Sequence, residues 1–110
     1  MKEIERGKVI YISGKITGVK NYREHFQHAR IRLEMRGIFA IDPVKIGDKL
    51  ERTLGRTPTY AEYLIDDIKY LLTCDGVYML KGWRRSKGAR LERAIAKLCG
   101  LSIYYEGATE

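Results

Sequence analysis

Apolar positions along this chain recur with two periods. Short runs rich in β-branched and aromatic side chains alternate with stretches whose apolar residues fall three and four apart. Residues 8–13 (Lys8-Val9-Ile10-Tyr11-Ile12-Ser13) read as a first strand, closed by Gly14. Asn21, with Glu24 one turn later, offers an N-cap for a first helix in which Tyr22, Phe26, Ala29 and Leu33 share a face until Gly37 stops the run. Residues 38–41 make a second short strand ended by Asp42-Pro43. Residues 44–58 hold Gly47, Gly55 and Pro58 with little periodicity, and read as a loop of the kind that serves as a mobile lid. Thr59 and Glu62 form a capping box for a second helix with Ala61, Leu64, Ile65, Ile68, Leu71 and Leu72 as its apolar face. Residues 76–80 give a third strand, Ser86 caps a third helix that runs to about Cys99, and residues 101–105 give a fourth strand.

The order β-α-β-α-β-α-β predicts an α/β fold: a small doubly wound parallel sheet of about four strands, right-handed crossovers, helices on both faces, and one domain over residues 1–110. So small a sheet leaves edges and faces exposed, which favours a homodimer or a higher homo-oligomer. An apolar content of 45% is enough for one core without metal or disulfide staples. No apolar run approaches the roughly 20 residues of a membrane span, and Met1-Lys2-Glu3-Ile4-Glu5 is too charged for a signal peptide. The expectation is therefore a cytoplasmic protein with no membrane partner. Cys74 and Cys99 lack metal-ligand or CxxC spacing and stand where apolar residues would, so both read as reduced core residues, with no metal and no cofactor implied.

A formal net charge of +7 favours anionic partners, a nucleotide or a nucleic acid. The basic residues are scattered, with Arg84-Arg85 and Lys87 the one tight group, and no RRM, KH, helix-turn-helix or zinc signature is present. Nucleic acid is thus the weakest of the readings.

In an open α/β sheet, ligands bind outside the carboxyl ends of the strands, which directs attention to the loops around residues 13–20, 42–58 and 81–86. Ser13-Gly14-Lys15-Ile16-Thr17-Gly18 supplies glycines, hydroxyls, a lysine and free backbone N–H groups ahead of a helix, a nest suited to phosphate; equally, its glycines could simply permit a tight turn. It is neither a Walker A sequence nor GxGxxG. On the third helix, Gly88, Leu91, Glu92, Ile95, Leu98 and Cys99 form a face that is apolar except for one carboxylate, with Arg90, Arg93 and Lys97 opposite. Glu92 therefore points inward, either as a functional group or in a structural salt bridge with an arginine. On the second helix Asp66 shares the polar face, whereas Asp67 aligns with Tyr60, Tyr63 and Tyr70, about 12 Å along the axis from the cap at 1.5 Å per residue. Tyr11 could reach a carboxylate or a sugar, or pack in the core. Trp83 could stack on a base or anchor its loop, and His25 and His28 read as surface residues.

Taken together, Tyr11-Ile12-Ser13-Gly14-Lys15-Ile16-Thr17-Gly18, then Asp67 ahead of Cys74-Asp75-Gly76-Val77, then Ser86-Lys87-Gly88-Ala89-Arg90-Leu91-Glu92 resemble the nucleoside 2-deoxyribosyltransferase superfamily. Gly82-Trp83 followed by Ser86, Gly88, Ala89 and Glu92 is similar to a short branch of it found in phages and bacteria. The resemblance covers residues 8–105 and implies a single domain of Rossmann-like or flavodoxin-like type. It implies cleavage of the N-glycosidic bond of a nucleoside 5′-monophosphate, by hydrolysis or by 2-deoxyribosyl transfer. Glu92 would be the nucleophile, Asp67 the proton donor to the departing base, and Tyr11 the group that orients the nucleophile. Residues 13–18 and Ser86, with Gly88 and Trp83 nearby, would hold the substrate and its phosphate. The chain departs from active members in being shorter and in carrying Lys15 and Lys87. A non-catalytic nucleotide sensor or interaction module that keeps the pocket is the alternative from another class.

Overall fold

The computed structural model describes residues 3–107. Its elements are β1 (Val9–Ser13), α1 (Tyr22–Glu34), β2 (Phe39–Ile41), α2 (Pro43–Leu54), α3 (Tyr60–Leu71), β3 (Gly76–Met79), a 3₁₀ turn (Trp83–Arg85), α4 (Lys87–Leu98) and β4 (Ser102–Tyr105). All strand pairs are parallel and the sheet order is β2-β1-β3-β4. This is a doubly wound α/β fold, as the alternation of periods predicts. No helix among the described residues is long and apolar enough to cross a membrane.

Alternation along β1 separates two cores, because successive side chains of a strand leave opposite faces. Ile10 and Ile12 pack with Phe26, Ala29 and Leu33 of α1. Tyr11 leaves by the other face, where Val77 and Met79 of β3 meet Leu71 at the end of α3 and Ala89 and Ala96 of α4. Helix α1 thus covers one face, and α3 and α4 the other. From β1 the chain moves outward to β2, and from β3 it moves the opposite way to β4. The strand order therefore reverses between β1 and β3, and the crevice at their carboxyl ends is the ligand position that this topology provides.

The largest difference from expectation lies in residues 44–58. They are not a loop or lid along their length: residues 43–54 form α2. The Asp42 carboxylate accepts the Val44 N–H at 2.9 Å, Pro43 occupies the first turn, and Gly55, at φ 68°, ends the helix in the left-handed conformation. Gly47 sits inside α2 because α3 comes close there: a Cβ at that position would lie 3.2 Å from Cε1 of Tyr63. Start signal, stop signal and a packing glycine were all present, and the two glycines hid the helical phase between them.

Smaller corrections concern helix phase. Asn21 precedes α1 but makes no side-chain cap hydrogen bond. On α4 the inward face is Ala89, Glu92 and Ala96, with Ile95 half-buried; Leu91, Leu98 and Cys99 are exposed. Small residues take the inner face because the helix lies close to the sheet, and this displaces the leucines outward. On α3, Leu71 is buried and Leu64 and Ile68 are half-buried, while Ala61, Ile65 and Leu72 face out. Cys74 is buried as expected, whereas Cys99 is not a core residue. Trp83 lies in the 3₁₀ turn against Tyr105, with ring centroids 6.1 Å apart, and between Arg84 and Arg93.

Asp42 both caps α2 and approaches Arg30 of α1 at 3.8 Å. Asp42→Ala should therefore lower stability by about 1–2 kcal/mol, with earlier amide exchange in α2. Urea unfolding with hydrogen exchange checks this; an unchanged midpoint would remove the cap from the account.

Candidate functional site

Beyond the carboxyl ends of β1 and β3 opens a cavity of about 710 Å³, within the range of small-molecule sites. The β1–α1 loop contributes Gly14, Lys15, Ile16 and Thr17, and the start of α4 contributes Arg85, Ser86, Lys87 and Gly88. Helix α1 adds Tyr22 and Arg23. Helices α2 and α3 form the remaining wall, with Asp48, Glu51, Tyr60, Tyr63, Leu64 and Asp67 among its residues. Tyr11 and Glu92 line it as well.

Glu92 is 6% exposed and enters no ion pair among the described residues. Instead, the Tyr11 hydroxyl donates to Oε2 at 2.6 Å and the Ser13 hydroxyl to Oε1 at 2.6 Å. Both donors are fully buried. They converge because Tyr11 and Ser13 are two apart on β1 and leave the sheet on the same side, toward α4. The salt bridge to an arginine that the sequence left open is absent. Burial raises the carboxyl group's pKa, against which the hydrogen bonds from Ser13 and Tyr11 act.

Asp67 comes into the same cavity from α3, so the distance along the helix did not keep it from the strand ends. Its pKa is pushed up to about 8, first by burial, then by the negative charges of Glu92 and Asp66. No hydrogen bond relieves it. Of the two carboxyl groups, Glu92 has two hydroxyl donors that favour its charged form, while Asp67 has none. Asp67 accordingly holds its proton at neutral pH, while the charged form of Glu92 is the one that hydrogen bonds favour.

Of the other residues singled out from sequence, Gly14, Lys15, Ile16, Thr17, Ser86 and Gly88 line the cavity. The Ser86 oxygen caps α4 by accepting the Ala89 N–H at 3.1 Å, which leaves its O–H able to donate to a ligand. Ser13 does not line the loop as a free phosphate donor; its hydroxyl is committed to Glu92. Gly18 and Trp83 are outside the cavity lining, and Trp83 is occupied by its packing on Tyr105. Sequence reading missed the wall made by α2, including Asp48, whose carboxylate holds Arg23 by two hydrogen bonds of 2.8 and 2.9 Å across to α1. Without a helix over residues 43–54 there was no face on which to place Asp48 and Glu51. Tyr22, Tyr60 and Tyr63 had helical phase but no ligand to suggest their role.

Because the folded pKa of Asp67 lies above the ordinary carboxyl value of about 4, its proton stabilises the fold fully at low pH. That contribution is lost as pH rises through about 8. Asp67→Asn should therefore gain stability over the parent protein progressively between pH 5 and pH 8. Urea unfolding across that range checks the sign; a constant offset would show an unperturbed Asp67.

No curated protein and no solved structure gives a significant match to this chain. A family model described as "Domain of unknown function (DUF4406)" matches residues 8–105, the span that carries β1 through β4 and every residue of the cavity, and the chain belongs to that family.

Proposed function

We propose that the protein cleaves the N-glycosidic bond of a nucleoside 5′-monophosphate through a covalent sugar–enzyme ester on Glu92. The observation that carries this reading is the state of Glu92: a buried carboxylate, held through both oxygens by hydroxyl groups and neutralised by no cation, beside a second carboxyl group that retains its proton. A structural glutamate buried at this depth would be expected to have a charged partner, since unpaired burial costs several kcal/mol. Held as it is, Glu92 is an oriented nucleophile.

In the first step one Glu92 oxygen attacks the anomeric carbon and the carbon–nitrogen bond breaks. Its electron pair leaves with the base, and the Asp67 proton passes to the base nitrogen. Asp67, now ionised, takes a proton from water in the second step; the resulting hydroxide attacks the anomeric carbon and frees Glu92. A second base in place of that water gives transfer instead of hydrolysis. Tyr11 and Ser13 hold the carboxylate plane fixed throughout and spread its charge, so both are positioning residues.

The cationic side of the cavity supports a phosphate-bearing substrate. Lys15, Arg85 and Lys87 line it together with Ser86, and none of them contributes to the shifts of Glu92 or Asp67. They are thus left to meet an anion, at the start of a 12-residue helix whose N-terminal dipole acts in the same sense. The opposite wall of tyrosines offers faces for a base.

The test is chromatographic. Incubation with ribo- and deoxyribonucleoside monophosphates, with and without a second free base, should release or exchange base, and Glu92→Gln should reduce turnover by about 10³-fold or more while fold and nucleotide binding persist. Binding without turnover across the panel would instead establish a nucleotide sensor. Two serines should separate by their kinetics. Ser86→Ala should weaken phosphate-bearing substrates by about 1–3 kcal/mol, chiefly in KM. Ser13→Ala should lower kcat and move the acidic limb of the rate profile to higher pH, because Glu92 loses a donor that favours its charged form. A Ser13 variant altered only in KM would mark it as a substrate ligand.

A further inference from the structure

Gly88 is the second residue of α4 and has ordinary helical backbone, so nothing in its conformation calls for glycine. What glycine leaves there is space. A Cβ at that position would lie 3.3 Å from the Tyr60 hydroxyl oxygen and 3.9 Å from Ser86 Oγ. Apart from Gly88's chain neighbours and the helix's own backbone, no other heavy atom comes within 4 Å of that point. Two hydroxyl groups, one on α3 and one at the cap of α4, thus face a single unfilled position. The backbone N–H groups of Lys87 and Gly88 open on the same helix end. They have no intrahelical acceptor, and no other described group accepts them, since the Ser86 oxygen takes the Ala89 N–H.

A pinned helix end puts Tyr60 there. It is the first residue of α3, directly after the capping box in which the Thr59 hydroxyl accepts the Glu62 N–H at 3.1 Å and Glu62 accepts the Thr59 N–H at 2.9 Å. Arg56 holds the same Glu62 carboxylate by two hydrogen bonds of 2.8 Å. Tyr60 is 63% exposed, so it fills no core, and its hydroxyl has no hydrogen-bond partner among the described residues. Its oxygen, and no ring carbon, approaches the open point, which distinguishes it from a side chain that stacks on a base. An exposed residue whose one polar atom is turned into the cavity is suited to a ligand that arrives and departs.

We propose that Tyr60 is a phosphate ligand: its hydroxyl, the Ser86 hydroxyl and the N–H groups of Lys87 and Gly88 surround the substrate's phosphate above Gly88. This rests on the nucleotide reading given above and adds to it the residue that closes the open side of the phosphate. A phosphate monoester presents three terminal oxygens, all acceptors, and every one of these groups is able to donate. A nucleoside hydroxyl in the same place would leave most of the donors unmatched, so discrimination between nucleotide and nucleoside falls on this point. Helix α3 gives the contact a second consequence. Tyr60, Leu64 and Asp67 recur along its cavity face, and Tyr60 and Asp67 stand about 10 Å apart at 1.5 Å per residue. One rigid helix therefore carries the phosphate ligand and the proton donor at a separation comparable with that between the phosphate and the base of a nucleotide.

Calorimetric titration of the Glu92→Gln protein, in which substrate is not consumed, compares nucleoside 5′-monophosphates with the matching nucleosides. Adding Tyr60→Phe should weaken the monophosphates about tenfold and leave the nucleosides unchanged, with an unaltered circular-dichroism spectrum. Gly88→Ala fills the open point and should also weaken the monophosphates selectively; in that background Tyr60→Phe should cost no more than about twofold further. Equal losses for both ligand classes would overturn the proposal, because a ring contact or a local disturbance acts on both. Unchanged monophosphate affinity in Tyr60→Phe would overturn it as well; if Ser86→Ala still weakens monophosphates selectively, the nucleotide reading survives that result. The opposite separation is a selective Tyr60→Phe loss in a protein whose parent turns over no nucleotide, which sustains the phosphate contact and refutes the reaction. No binding of any monophosphate would overturn both.

Discussion

The burial of one carboxylate governs much of this architecture. Taking Glu92 out of water costs several kcal/mol unless its oxygens find donors, and the fold supplies two from a single strand. That is possible because a strand repeats every two residues: Tyr11 and Ser13 face α4 while Ile10 and Ile12 face α1. It also requires α4 to lie close, which Ala89 and Ala96, one turn before and after Glu92, permit. A larger residue at either alanine would lift the helix and lengthen both hydrogen bonds, so small core residues and a polar contact here are one constraint.

The same constraint organises the cavity. Through Tyr11 and Ser13 of β1, Glu92 is held beside the point where strand order reverses. Helix α3 then brings Asp67 to the cavity. Its charge would be both desolvated and repelled by Glu92, so it keeps its proton to about pH 8. Two like groups are made unlike through position alone, one with hydroxyl donors and one without.

Much of this was legible in the chain. Strand positions, three of the four helices, the inward direction of Glu92 and the choice of Asp67 over Asp66 all follow from periodicity, which reports the side of an element a residue occupies. What periodicity does not report is depth. Leu91 and Leu98 have the right phase to adjoin a core and are nevertheless exposed, because the sheet is met by the alanines. The Ser13 hydroxyl illustrates a second limit. In a glycine-rich turn it reads as a phosphate donor, and only the approach of α4 from far along the chain assigns it to Glu92. Helix α2 is hidden for a third reason: Gly47 reads as a breaker, whereas it is the place where Tyr63 packs against the helix.

Charge within the cavity is segregated, and that segregation separates the functional readings. Lys15, Arg85 and Lys87 are lining residues, yet neither Glu92 nor Asp67 is stabilised by any of them. A cavity built only to hold an anion would gain nothing from a buried carboxyl group without a cationic partner, whose charge would repel the anion it is meant to bind. A cavity built only for structural stability would pair each carboxylate with one of the three nearby cations. In the free protein the burial of Glu92 is offset by no cation, and under the proposed function a ligand would bring an anionic group to the cations and an electron-poor carbon to Glu92. In the proposed reaction a nucleotide would supply that distribution, its phosphate and its anomeric carbon held a few bonds apart.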